Sequence, residues 1–567
     1  MRTLRVVPLV LVVAFLASAP AALAQQKQAT AVGSGGAAAT VDFLGTRAAT
    51  QTLKAGGNAV DAAVAAAAVL GVTEPYSCGI GGGGFMVIRT PEGKVTTIDS
   101  REESPAAMQP DSFLQNGAPL PFNDARYSGL SAGVPGTVAG WDRALREYGT
   151  QSLSKTLQQG IDTARKGFTV DQTFVDQTNP NVDFFDDHPA TAEIYLDPDG
   201  TARNVGTTLR NPDLARTYER IAKLGTKGFY RGAVADAMVE AAQNPPIAGD
   251  ANHTWRPGLM TMRDLHRYAA IEREPTKVNY RGLDVWGMGP PSSGGSTVGE
   301  ALNILEGYDL GQLDRVRALH LFLESSRFSF ADRNRYLADP AFFAVPLAGL
   351  LSDEYAAERR ALITGQAATS PVAPGEPPGS STTHLVVSDD EGTVVSYTFT
   401  IESTGGNGIV VPEWGFLLNN ELTDFNFDSL THPNRADGDK RPRSSMSPTI
   451  VTDAGEPFLA VGSPGGSMII TTTLQVLLER LDLGRTLPEA IATPRASQRN
   501  TPATAAEPAF ISSPEGQALA SEYGHTFAPS AEIGAVTGIE FLGGGRVLAA
   551  AEPVRRGGGH AETTRTP

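Results

Sequence analysis

One boundary constrains this chain more than any other stretch. Residues 364–381, TGQAATSPVAPGEPPGSS, are dominated by Pro, Gly, Ser and Ala, a composition that makes a flexible, exposed linker rather than a packed element. At Thr382-Thr383-His384 the pattern switches to alternating apolar and polar residues. Leu385, Val387, Val394 and Tyr397 mark two strands around an acidic-Gly turn from Asp389 to Gly392. The spacing predicts a β-hairpin that begins with two threonines, directly behind a segment suited to cleavage. A cut between Ser381 and Thr382 would create a nucleophile, because the new N-terminus supplies both Thr382 Oγ1 and a free α-amino group to act as its base. Such an amine titrates near ~8 and is available as a base at neutral to slightly alkaline pH. The competing reading is an ordinary hairpin that starts with two β-branched residues.

The ends of the chain bound where it works. Residues 1–24 read as an export signal: Arg2 and Arg5 are basic, Val6 to Leu16 are apolar, and Ala22-Leu23-Ala24 is a small-residue cleavage site. That apolar run is too short to span a membrane, which takes about 20 residues, and no later run is apolar enough. A periplasmic or secreted protein is expected. The net charge of −16 argues against nucleic acid and anionic membrane surfaces as partners. Cys78 is the single cysteine, so neither an intrachain disulfide nor a thiolate metal cluster can form. The eight histidines show no ligand spacing, and no metal or other cofactor is expected. Residues 25–38, polar and Gly-rich, and the Gly- and charge-rich tail 552–567 are both expected to be disordered.

Between these ends the pattern is that of a mixed α/β enzyme. Val41 to Leu53 is helical in spacing and closes at Gly56-Gly57. Asn58 is a candidate N-cap for the Ala-rich run to Leu70, which is apolar on nearly every side and therefore core. CGIGGGGFMVI formally holds GxGxxG at Gly79, Gly81 and Gly84, but a strand-like run follows it, so close backbone packing is the better account than dinucleotide binding. GLSAG, residues 129–133, matches the serine-hydrolase elbow, yet Ser131 lacks the preceding apolar strand and the helix directly after it. Helices are expected at Thr137 to Tyr148 and Met468 to Leu481, and a mainly helical pattern between Ser152 and Ile363. GFLL, ahead of Asn419 and Asn420, reads as a strand. Gly465 and Gly466 precede the second helix, where two backbone N–H groups suit a developing oxyanion. Phosphate cradling is the rival, but the lysine of a phosphate loop is missing.

TTH, GFLLNNELTDF, RSSMSP and GSPGGS resemble the small subunit of the gamma-glutamyltransferase (glutathione hydrolase) family. GGNAVDAAVAAAAVLGVTEP, GIGGGGFM, DSREESP, GVPGTVAGW and PPSSGGST resemble its large subunit. The match runs in order from about Thr40 to Leu548. It implies an N-terminal-nucleophile αββα four-layer sandwich built jointly from a large fragment (25–381) and a small one (382–567), associated as a heterodimer after self-cleavage. It further implies Thr382 as nucleophile, Thr400 as the threonine contacting it, and Gly465 and Gly466 as the oxyanion donors. Arg101, Ser444 and Ser445 would hold the substrate α-carboxylate, and Glu421 and Asp424 its α-amino group. Glu402 falls at a substrate-facing position where many members carry Asn and some bacterial ones Glu. Glutathione and other γ-glutamyl compounds are the implied donors, with water, amino acids or peptides as acceptors. The alternatives are a cephalosporin or glutaryl acylase of the same superfamily and a non-catalytic periplasmic binding protein. The interval from Asp424 to Ser444 is shorter than in members with a lid over the site, which predicts an open cleft unless Phe425, Phe427 or His432 folds inward.

Overall fold

The computed structural model describes residues 27–369 and 382–566. The predicted export signal, residues 370–380 of the linker and Ser381 lie outside them. One antiparallel sheet organises the chain. Its strands are β1 (Thr30–Thr40), β2 (Gly83–Arg89), β3 (Val95–Asp99), β4 (Ile271–Arg273), β5 (Thr276–Tyr280), β6 (Leu283–Gly287), β7 (Thr382–Ser388), β8 (Val394–Thr400), β9 (Thr449–Asp453), β10 (Glu456–Gly462), β11 (Thr537–Gly543), β12 (Arg546–Ala551) and β13 (His560–Arg565). The spatial order is β4-β3-β2-β8-β7-β1-β12-β11-β10-β9-β6-β5, and β13 pairs with β1.

Alternation along the strands divides the core. On β7, Leu385 and Val387 point into one apolar cluster and Val386 into another, as the two-residue period of a strand requires. The first cluster is filled by helices α1 (Phe43–Lys54), α2 (Ala59–Thr73) and α3 (Thr137–Tyr148). The second lies between strand faces, where Phe85, Val87 and Val386 meet Ile450, Ala460, Ile539 and Ala549. A third packs α4 (Gly294–Glu306), α5 (Arg315–Tyr336) and α6 (Met468–Leu481) against Val451, Leu459 and Val461. Each Val, Leu or Phe withdrawn from water in this way contributes about 1.5–3 kcal/mol, and every residue of β7 and β8 is buried.

Local rules explain the helix that the hairpin packs on. Asn58 Oδ1 accepts from Val60 N and Asp61 N, both at 3.0 Å, while Asp61 Oδ2 accepts from Asn58 N at 2.9 Å. This reciprocal cap satisfies backbone donors that the first turn cannot. All fifteen residues of α2 are buried.

Three expectations need correction. Residues 25–38 are not disordered where described: Thr30–Thr40 is a central strand, its Ala37, Ala38 and Ala39 fully buried. The tail is not disordered either. Gly557 and Gly558, at φ 71° and 76°, turn the chain back so that His560–Arg565 pairs with β1 from Thr40↔His560 to Ser34↔Arg565. Both segments are short of large apolar residues and owe their order to partners distant in sequence. Finally, GFLL forms no strand. Positive-φ glycines at 406, 408 and 415 bend the chain, leaving a single bridge, Val410↔Leu417.

Candidate active site

The predicted hairpin forms, in a register running from Thr382↔Thr400 to Ser388↔Val394. Thr382 Oγ1 donates to Thr400 Oγ1 at 3.3 Å, and Thr400 Oγ1 accepts from Glu402 N at 2.8 Å. β8 ends there because Glu402 takes a left-handed backbone, φ 77°. The Gly-rich loop before β2 closes over this corner. A Cβ on Gly82 would sit 1.9 Å from Thr400 O, and one on Gly81 1.9 Å from Leu417 O. Close packing is therefore the reason for the glycines, and no dinucleotide-type helix follows them. His384 is part of the packing as well: its ring lies against Gly462, where a Cβ would come within 2.4 Å of it, and Nδ1 is 2.8 Å from Thr398 Oγ1. Burial pushes the imidazole down to about 3, so it stays neutral. Ser131 is buried in a short 3-10 turn and donates to Arg126 O at 2.7 Å and Ser128 O at 2.9 Å, which is not the exposed elbow a nucleophile needs.

From Thr400 a chain of contacts leads to the charged groups. Glu402 accepts from Ser403 Oγ and from Asn420 Nδ2, both at 2.5 Å. Asn419 holds Gly81 O, Gly133 O, Gly133 N and Glu421 N with one amide, at 2.7–3.0 Å, and so ties three loops together. Arg101, 1% exposed, pairs through Nη1 with Glu421 Oε1 and donates through Nη2 to Asp424 Oδ2 at 2.5 Å. Its Nε and Nη2 also donate to Pro442 O at 3.1 Å and Arg443 O at 3.0 Å. Asp99 fixes the Arg101 backbone, accepting from Arg101 N at 2.9 Å while bridged by Arg441 and Arg273 at 2.6 Å each.

Ser444 O accepts from Ser293 N at 2.8 Å and from Ser293 Oγ at 2.6 Å, which places the PPSSGGST turn against RSSMSP. Ser445 Oγ accepts from Arg333 Nη2 at 2.6 Å. Gly465 and Gly466, at φ 131° and 59°, lead from β10 into α6. Gly465 lines a cavity of about 320 Å³ together with Thr404, Glu532, Gly534 and Arg556. Arg556 reaches back to donate to Thr382 O at 2.7 Å. The structure thus links Thr382, Thr400, Glu402, Glu421, Asp424 and Arg101 in one neighbourhood, with Ser444 and Ser445 following the Arg443 carbonyl that Arg101 holds. It relates Gly465 to Thr382 through the cavity lined by Arg556, while Gly466 follows at the turn into α6. Ser381 lies outside the described residues.

Charge is concentrated at one end of this group. Burial raises Glu102 and Glu402 well above the usual carboxylate range, the charge of Glu421 adding to the effect at Glu102 and those of Asp424 and Glu421 at Glu402. Burial also pushes Glu421 up to about 7, against the pull of Arg101. Burial alone would lower the Arg101 guanidinium, but Glu421 and Asp424 outweigh it and raise it. The segment after Asp424 turns away from these groups. Phe425 packs with Met108 and Phe113, Phe427 stacks on Phe113 at 4.2 Å, and His432 Nε2 is 2.9 Å from Asn334 O. Asp424, with 34% of its side chain exposed, is the carboxylate of the group that reaches solvent.

Arg333, Asn419, Arg441, Arg443 and Arg556 were not singled out from the sequence. An Arg in a helix or a loop has no local signature when its partner is a hundred or more residues away, and Arg556 lay in the tail expected to be disordered.

Sheet, clusters and corner together define a class, the N-terminal-nucleophile hydrolases. A crystal structure of cephalosporin acylase from Bacillus halodurans matches with a TM-score of 0.84 at 29% identity, covering 97% of this chain and 99% of that one. The family model for gamma-glutamyltranspeptidase matches residues 45–562, and the chain belongs to that family. It is 38% identical over 529 residues to a glutathione hydrolase proenzyme of Pseudomonas sp. (strain A14), covering 90% of each. It is 39% identical over 489 residues to the glutathione hydrolase proenzyme of Bacillus subtilis (strain 168), covering 82% of this chain and 81% of that one. Among the described residues no helix is long and apolar enough to cross a membrane.

Proposed function

We propose that this chain is a self-processing γ-glutamyltransferase and glutathione hydrolase. The observation that carries the reading is Thr382 at the head of β7, its hydroxyl on Thr400, directly after the linker and beside a buried guanidinium-carboxylate group. Cleavage before Thr382 releases its α-amine. Thr382 Oγ1 then attacks the γ-carbonyl, the amine takes the proton, and the N–H groups of Gly465 and Gly466 receive the oxyanion. Collapse breaks the C–N bond as the α-ammonium of Thr382 returns its proton to the leaving nitrogen, which departs as a neutral amine and leaves a γ-glutamyl ester on Thr382. Water hydrolyses the ester, or the amine of an amino acid or peptide takes the acyl group.

Arg101, Ser444 and Ser445 meet the α-carboxylate, while Glu402, Glu421 and Asp424 favour the α-ammonium. That carboxylate cluster is the argument for a γ-glutamyl donor over the glutaryl or cephalosporin substrates of an acylase, which lack the cation. The three apolar clusters support an αββα four-layer arrangement shared by both fragments, held together as a heterodimer. The Arg2-to-Ala24 pattern supports export to the periplasm or beyond. Electrophoresis and N-terminal sequencing of the purified protein test the reading: two fragments are expected, the smaller beginning at Thr382. A single uncut chain that still turns over glutathione would sink it.

A further inference from the structure

Arg556 sits one residue before the Gly557-Gly558 turn, itself in a left-handed conformation at φ 54°. That turn is rigidly based. Arg555 pairs with Glu507 and Glu552 and donates to Ile491 O and Thr493 O, and a Cβ on Gly557 would meet Thr173 Oγ1 at 2.2 Å. Arg556 N donates to Glu532 Oε2 at 3.1 Å. The side chain then spans the corner. Nη1 donates to Thr382 O at 2.7 Å, Nη2 to Ser77 Oγ at 2.5 Å, and Nη2 stands 3.7 Å from Glu74 Oε2. Three remote stretches, the end of α2, the first residue of β7 and the C-terminal turn, therefore meet at one guanidinium.

We propose that Arg556 is a positioning residue: braced by Glu74 and Ser77, it clamps the carbonyl of Thr382 and so holds the Thr382 hydroxyl on target once the chain is cut. The inference rests on Thr382 being the nucleophile. While residue 381 is still attached, Thr382 is tethered from both sides. After the cut it is held by the β7–β8 pairing, by its hydroxyl's bond to Thr400 and by this clamp on its carbonyl, and a shift of about 1 Å in a reacting atom is enough to slow an enzyme ~100-fold. Arg101, Glu421 and Ser445 hold one another's neighbourhood through Asp424, Arg443 and Arg333, whereas the clamp holds the Thr382 carbonyl, so loosening it should lower kcat rather than raise the KM for donor.

The brace is pH-sensitive. Burial pushes Glu74 up to about 7 against the opposing pull of Arg556, with Asp42, Lys27 and Asp171 as the other charges that act on it, Cys78 beside it and Glu532 on the far side of the guanidinium. Glu74 is neutral below that pH, so its ion pair with Arg556 forms as pH rises through about 7. A kcat limb near 7 is expected below the limb of the Thr382 amine near ~8.

The test compares full-length Arg556→Met, Arg556→Lys and Glu74→Gln with wild type, using a chromogenic γ-glutamyl anilide. Arg556→Met should still cleave itself, lose at least tenfold in kcat and keep its KM within about twofold. Arg556→Lys should recover part of the loss, and Glu74→Gln should lose the limb near 7 but keep the upper one. A raised KM at unchanged kcat, or Arg556→Met with wild-type kcat and pH profile, overturns the proposal. If Arg556→Met fails to fold, the Lys and Gln variants decide alone: unchanged kcat in the first together with an unchanged profile in the second overturns it. Thr382→Ala, run alongside, separates the two levels. An active Thr382→Ala protein refutes the nucleophile itself, whereas an inactive one beside a normal Arg556→Met refutes only the clamp.

Discussion

The two ends of the site are built from opposite materials. Around the Thr382 hydroxyl the groups are uncharged: Thr400, the glycines that close over it, and an imidazole at His384 kept neutral by burial, while the Arg556 guanidinium holds the Thr382 carbonyl rather than its hydroxyl. Around Arg101 they are ionisable, with the carboxyl groups of Glu102, Glu421 and Asp424 set about one guanidinium and Glu402 close to the last two. The difference separates two tasks. On the proposed mechanism the nucleophile end needs geometry, and its base, the α-amine, would exist only after cleavage. The other end needs to discriminate a zwitterion, which isolated neutral groups do poorly and desolvated charges do well.

The sharpest way to break this comparison is at its neutral end. Thr382→Ala should remain one chain on denaturing electrophoresis and lose activity by roughly 10³-fold or more, since both the nucleophile and the self-cleavage depend on that hydroxyl. Retained cleavage would move the nucleophile elsewhere. At the charged end, Arg101→Ala should lower kcat/KM for γ-glutamyl donors by about 2–5 kcal/mol while self-cleavage persists, because the scissile bond needs no substrate carboxylate. Unchanged kinetics would reduce Arg101 to a structural ion pair.

Gly462→Ala asks whether packing alone sets the neutral end. It drives a methyl into the His384 ring and should cost about 1–3 kcal/mol of stability, seen as a lowered Tm. A variant as stable as wild type would show that the corner is looser than the geometry implies.

A smaller effect should come from Glu421, which burial raises to about 7. It is protonated and neutral below that pH, so attraction for the substrate ammonium weakens as pH falls and the donor KM should rise, by up to about tenfold per pH unit. Glu421→Gln should flatten that dependence, and a KM that stays flat in wild type would place the ammonium elsewhere. The smallest difference expected is between donors. With Phe425, Phe427 and His432 bound to the body of the protein, a long γ-polyglutamate should turn over at a rate comparable to glutathione. Complete rejection of the polymer beside brisk glutathione turnover would mean the cleft is covered.

Much of this corner was legible in the residues because its signals are local. The 382–400 hairpin announced itself through alternation and an acidic-Gly turn, α2 through Asn58 and Asp61, and α3 and α6 through periodicity and the punctuation around them. The glycines of residues 79–84 were read as close packing for a sound reason, since a strand-like run followed them. What stayed hidden is non-local. β1 is made of small residues because it is enclosed by neighbours on both edges, and small residues carry little strand signal. The HAETTR of β13 becomes a strand only by pairing with β1. GFLL has strand composition, but glycines at 406, 408 and 415 overrule it. Arg333 and Arg556 act through partners 112 and 174 positions away.

β1 has a further consequence. It lies ahead of the linker, yet every strand it touches lies beyond: Ala37–Thr40 is hydrogen-bonded to β7 on one edge and β13 on the other, and Thr30–Ser34 to β12. If the backbone is cut before Thr382 as proposed, this strand becomes a tongue from one polypeptide gripped by three strands of another. The fragments cannot part by sliding, because withdrawal breaks the central ladder, so their separation is as slow as unfolding itself. The reverse passage is harder still. The uncut chain closes this ladder within one molecule, whereas the cut one must find its partner at whatever concentration it happens to be. Under the proposed cleavage, maturation would work as a ratchet: the protein would be assembled once, as a precursor, and a heated mature enzyme should lose activity for good under conditions from which its uncut form recovers.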